Sequence, residues 1–292
     1  SEMKMNTAEV SNKGFELEIG SALKISKNVS WTGNLSIAYN KNMIEKLATV
    51  PAYAYDLAYY SQDPSSYRSY SWMQGYDMNT LWCYKYGGLM NGGTEANPEM
   101  KPTIVGKDGN QQFINSWPGG DAMNISYEMG TQVAPWTMAL STAFQVYDFD
   151  ISLIVTGKFG HKFMRTGFNY PGISGNSIPN RYYQDVLNCN PNEMIPMPQT
   201  EVETKYYFWD RFYPFMSYLA ENAGHIRLQE LSVAYNLPKK AAKWLGVRNL
   251  KVYAQANNPF SIYFNGYKED PEFAYGNMRL QASYTFGIKC SF

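Results

Sequence analysis

The residues of this 292-residue chain best suited to chemistry are two histidines, three cysteines and the carboxylates of a KEDPEF stretch. His161 and His225 stand far apart, and neither lies in an HExxH pattern or beside an obvious nucleophile. Cys83, Cys189 and Cys290 form no CxxC and pair with neither histidine, so nothing has the ligand spacing of a structural zinc site. Cys83 and Cys189 both fall in long connecting segments, which leaves a disulfide between them open. Cys290 lies on an apolar face as a small hydrophobe. Glu269, Asp270 and Glu272 are close enough in sequence to suggest the two facing carboxyls of a glycosidase. The Asp270–Pro271 dipeptide, however, reads first as a turn former. GxSxG and Walker A patterns are absent. The expectation is no catalytic residue, no metal and no cofactor.

Recognition chemistry is better represented. AYAYDLAYY (52–60), YRSYSW (67–72) and YYFWDRFY (206–213) are dense in rings beside Asp and Arg. That combination stacks on sugar faces and hydrogen-bonds their hydroxyls. The candidate ligand contacts are Tyr207, Trp209, Asp210, Arg211, Tyr70 and Trp72. The plainer alternative is that these rings pack the loops together or against a partner protein. Asp210 and Arg211 then bridge each other for at most about 1 kcal/mol.

The elements carrying these segments are strands. Met278, Leu280, Ala282, Tyr284, Phe286, Ile288, Cys290 and Phe292 alternate with polar residues to the last position, the period of two of an extended strand between unlike environments. The pattern recurs in hairpins. Phe15, Leu17, Ile19, Leu23 and Ile25 oppose Glu16, Glu18 and Lys24, and after a turn at Ser26–Asn28 the next strand runs Val29, Trp31, Leu35, Ile37, Tyr39. A second hairpin carries Trp136, Met138, Leu140, Phe144 and Val146, turns near Tyr147–Phe149, and returns through Ile151, Leu153, Val155 and Phe159. The third spans Ile226–Leu237 and Asn249–Asn258, joined by KKAAKWLG, which predicts a helical turn.

The three short turns lie at one end of these strands. The long segments, 43–134, 162–225 and 259–277, lie at the other. Short turns on one rim, long loops on the other, an apolar band and a polar face describe an outer-membrane β-barrel. Trp31, Tyr39, Trp136, Tyr235, Tyr284 and Phe292 sit near strand ends, where an interfacial girdle belongs. No run approaches the roughly 18 apolar residues of a spanning helix. Twenty-five acidic and 25 basic residues cancel, which argues against nucleic acid as a partner. Seven strands are secure, and the number is odd. A barrel with an even strand number that starts and ends on the short-turn side then needs a strand upstream. The 43–134 segment could hide a further hairpin near Leu81–Leu89, which leaves the parity unchanged. Residues 1–292 are read as one all-β unit, the C-terminal part, about seven to nine strands, of a larger antiparallel transmembrane barrel.

Four stretches carry a resemblance to a known family: NKGFELEIG (12–20), SKNVSWTGNLSIAYNKNMIEKL (26–47), GHIRLQELSVAYNLPKKAAKWLGVRNLKVYAQANNPFSIY (224–263) and GYKEDPEF (266–273). In this order they resemble the C-terminal region of the SusC/RagA-like TonB-linked outer-membrane transporters, as does WCYKYGGL (82–89). A Gly- and Asp-rich turn of that family is reduced here to GKDGN, so no cation site is carried over to Asp108. His225 stands where an aromatic is usual. The resemblance implies a barrel of about 22 strands with an N-terminal plug that this sequence lacks, energised through TonB–ExbB–ExbD. It also implies a Gram-negative outer-membrane location against outer-membrane lipid, a SusD-like lipoprotein partner, and a glycan or peptide substrate. The remainder of the barrel and the plug would be partners of this segment. Phe292 would be the C-terminal aromatic assembly signal. A different class of reading is a secreted or surface β-rich carbohydrate-binding module with no channel.

Overall fold

The structure is a computed structural model, described over residues 8–48, 54–63, 66–113, 122–165, 212–273 and 280–291. In chain order the elements begin with β1 (Ala8–Ser26), β2 (Val29–Leu47), α1 (Ala54–Ser61), β3 (Thr80–Cys83), β4 (Tyr86–Asn91), β5 (Met100–Val105), β6 (Gln111–Phe113) and α2 (Ala122–Ile125). They continue with β7 (Tyr127–Thr131), β8 (Trp136–Val146), β9 (Phe149–Phe159), β10 (Lys162–Met164), β11 (Ala220–Asn222), β12 (His225–Asn236), α3 (Lys239–Trp244), β13 (Asn249–Tyr263) and β14 (Ser283–Ser291). Seven of the strands form one sheet in the order β1-β2-β8-β9-β12-β13-β14. These are the seven expected from alternation, each paired to the next of the set. β1 and β2 each run 19 residues, further than the alternation alone marked.

Two compact units emerge: Asn12–Lys41, Val133–His161 and Asn222 onward form one, and the remainder forms the other. In the first, the pairing register fixes the two faces. Ser30, Gln145 and Asp150 share one face, as do Ser36, Ala139 and Thr156, while Leu35, Leu140 and Val155 share the other. A bulge between Leu228 and Glu230 leaves Gln229 as an extra residue. His225 and Arg227 therefore keep the polar face together with Glu230 and Ser232. A single unbulged period of two would put them on opposite faces.

The apolar face lies open. Phe15, Leu17, Ile19, Leu23 and Ile25 are 47–64% exposed, and Phe286 and Ile288 are 79% and 71% exposed. Aromatic rings bound this face at both ends. Tyr39 and Trp136 lie 4.6 Å apart with Phe15 beside them at the long-connection end, whereas Trp31–Phe144 and Phe149–Tyr235 mark the short-turn end. Tyr39 and Trp31 are separated by roughly 27 Å along β2 at the usual rise per residue. The indole N–H of Trp31 donates to Thr142 Oγ1 at 2.7 Å, so two polar groups on the apolar face satisfy each other.

The short-turn rim is continuous. Tyr147 N–H donates to Asn28 C=O at 2.8 Å and Asn236 N–H to Asp148 C=O at 2.8 Å, linking successive connections. α3 is the helical turn expected from KKAAKWLG. It ends in a Schellman motif: Gly246 takes φ +75°, its N–H donates to Lys243 C=O, and Val247 N–H donates to Ala242 C=O.

The second unit is formed largely by the long segments, which have folds of their own. β3 pairs with β7, while β4, β5 and β6 form a small antiparallel sheet and β10 pairs with β11. The strands near Leu81–Leu89 thus find partners elsewhere and do not pair with each other. The core of this unit includes Leu57, Leu81, Trp82, Ile104, Phe212 and Met216, all at most 1% exposed. Cys83 is buried there with a free thiol 3.7 Å from Met164 Sδ, and burial pushes that thiol well above its ordinary range. Cys189 lies outside the described residues.

Candidate functional site

Two side-chain groupings stand out, one in each unit. In the sheet unit, the polar face near the long-connection end carries Lys158 on β9 and His225 and Arg227 on β12. Register places His225 opposite Lys158 and Arg227 opposite Thr156. The segment after β13 folds back over them. Asn265 closes it with two hydrogen bonds of 2.8 Å, to Glu269 C=O and from Glu269 N–H. The turn then runs through Pro271 and Glu272, as the Asp-Pro dipeptide predicts.

Asp270 and Glu272 are thereby delivered to the cations. Arg227 Nη2 contacts both Asp270 oxygens at 3.2 and 3.1 Å and Glu272 Oε2 at 3.1 Å. Tyr263 Oη donates to Asp270 at 2.9 Å, and the Arg227 guanidinium lies 5.9 Å from the Phe273 ring centre. Lys158 is ion-paired to the other oxygen of Glu272, and His225 Nε2 is 3.7 Å from Oε2. Arg227 and Asp270 side chains are only 5% and 2% exposed, whereas Lys158 and Glu272 are 46% and 33% exposed. Partial burial disfavours charge on Glu272, but Lys158, His225 and Arg227 outweigh it and hold the carboxyl below its usual range. His161, whose C=O accepts from Ala223 N–H, is pushed down to about 4 by burial and by the nearby His225 and Lys158.

A cavity of about 300 Å³ adjoins this cluster, lined in part by Lys158, His225, Arg227, Gln229, Glu272 and Thr156. Gln229, the bulge residue, donates to Thr156 Oγ1 at 3.1 Å. Sequence reading had His225 as an exchange for an aromatic and the carboxylates as a turn; it did not join them. The available signal was Arg227 and Lys158 near the same end of neighbouring strands, with an acidic segment following the next strand.

In the other unit, Tyr70 is 56% exposed and stacks on the 55%-exposed Tyr67, with centroids 6.0 Å apart and planes within 13°. Tyr60 lies 5.1 Å from Tyr70. Arg68, between the two tyrosines, turns inward: Nε and Nη2 donate to Ser61 C=O at the end of α1, and Nη1 to Asn79. Trp72 is half-buried, and its Nε1 has no hydrogen-bond partner among the described residues. Tyr207, Trp209, Asp210, Arg211 and Phe292 lie outside the described residues. Asp108 spends its carboxylate on the backbone and side-chain N–H groups of Asn110. Among the described residues no group of three or more His, Cys, Asp or Glu is placed to hold a metal ion.

No protein-family model matches the chain. The chain is 24% identical over 293 residues to "TonB-dependent receptor P3" of Formosa agariphila, a match covering 96% of this chain and 27% of that protein. Among solved structures, the RagAB peptide importer in its closed-closed state superposes on 98% of this chain with a TM-score of 0.64 at 18% identity. Its open-open state gives 0.61 over the same share. The fold is that of a stretch of a TonB-dependent transporter barrel. The chain spans about 30% or less of the length of each of these relatives.

Proposed function

We propose that this chain forms part of the wall of an outer-membrane, TonB-dependent active transporter that imports oligosaccharides or peptides with a SusD-like surface lipoprotein. The observation that carries the reading is the open apolar face bounded by aromatic rings at both ends. An uncovered apolar surface of this extent requires an apolar partner, and rings at its margins suit the two membrane–water interfaces. The opposite, polar face suits an aqueous or protein-filled lumen. The likeness to a TonB-dependent receptor supports energisation through TonB–ExbB–ExbD, and the likeness to RagAB supports a two-protein importer. Tyr70 and Trp72, with Tyr207, Trp209, Asp210 and Arg211, are the proposed substrate or partner contacts. Phe292 is the proposed assembly signal.

The test is uptake by cells expressing the full-length protein. Accumulation of labelled oligosaccharides or peptides from the medium should depend on this protein and stop when TonB is deleted. Uptake that persists without TonB contradicts the reading.

A further inference from the structure

We infer that Lys158, His225 and Arg227 form a carboxylate-binding subsite on the polar face, occupied within the chain by Glu272. This rests on the transporter reading and specifies the chemistry of its cargo. The three basic groups converge on one carboxylate: Lys158 on one oxygen, Arg227 at 3.1 Å and His225 at 3.7 Å from the other. Asp270 shares Arg227 but needs neither Lys158 nor His225, because Arg227 and Tyr263 already hold it in a buried position.

Glu272 differs from Asp270 in exposure, 33% against 2%, and in lining the cavity. It is the displaceable member of the pair. Arg227 is nine-tenths buried yet lines the same cavity. About 300 Å³ with Thr156, Gln229 and Thr137 on its walls is room for the end of a small oligomer bearing one carboxylate. A peptide C-terminus and a uronic acid both present that group. Either would take the place of Glu272 on Lys158 and Arg227 while Asp270 keeps the segment folded.

Binding to the purified full-length protein separates the sources. The probes are N-acetyl-trialanine against its C-terminal amide, and tri-galacturonate against its methyl ester. Removing the internal competitor with Glu272→Gln should make at least one acid bind about tenfold more tightly than its uncharged counterpart, the scale of a charged hydrogen bond. The acid that gains identifies the source. Adding Lys158→Gln to that variant should abolish the preference, while Lys251→Gln, a lysine elsewhere on the same face, should leave it intact. If Glu272→Gln binds neither acid better than its uncharged counterpart, or the preference survives Lys158→Gln, the cluster only fastens the segment and the inference is overturned. TonB-dependent uptake is read independently, so that failure leaves the transporter reading standing.

Discussion

Arg227 and Asp270 are each more than nine-tenths buried, and neither charge is tolerable without the other. Arg227→Leu leaves Asp270 buried and uncompensated, at a cost of about 3–5 kcal/mol. The expected result is release of the Asn265–Phe273 segment, seen as faster backbone deuterium exchange there than in β8 and β9. Unchanged exchange would mean the pair does not hold the segment. His161 makes a pH prediction. Its folded pKa of about 4 lies below the ordinary 6.5, so the fold favours the neutral ring. That contribution is complete above 6.5 and declines as pH falls toward 4. Glu272, whose pKa is also depressed, loses its contribution only further into acid, below the ordinary carboxylate range. Thermal unfolding followed from pH 7 downward should therefore weaken first in the window between about 6.5 and 4, and His161→Gln should flatten that first decline. The cluster itself was poorly legible from sequence. Its members come from three separate segments, and the Gln229 bulge that keeps Arg227 in phase with Glu230 has no sequence mark of its own.

At the scale of elements, the face assignment is the claim that substitutions test most sharply. Leu153 and Ser152 are neighbours on β9 with opposite parity. Leu153→Arg should cost roughly 2–4 kcal/mol if that face meets lipid near mid-depth, and should deplete the protein from the outer membrane. Ser152→Arg should assemble normally. Equal amounts of both in the outer-membrane fraction would remove the basis for the two faces. These strands were legible because alternation survives wherever two environments differ across a sheet, and Leu17, Leu35, Leu140 and Val155 show it plainly. The small strands of the other unit were not. Leu81, Trp82 and Cys83 are consecutive and all buried, so no period of two marks them. Their partners, from Tyr127 to Thr131, lie more than forty positions away.

For the whole molecule, the sheet has two terminal strands, β1 and β14, each paired on one side only among the described residues. Long unpaired strand edges invite association, and further wall strands would satisfy both. Deleting Phe292 from the full-length protein should reduce its outer-membrane abundance while leaving uptake per inserted molecule unchanged. Normal abundance would withdraw the assembly role. The central claim is that the apolar face is a lipid face, and depth-resolved quenching tests it most directly. Single fluorophores at positions 151 to 156, in full-length protein reconstituted with brominated lipid, should be quenched at Ile151, Leu153 and Val155 and spared at Ser152, Ile154 and Thr156. Quenching that fails to alternate, or that favours the second set, would contradict the account.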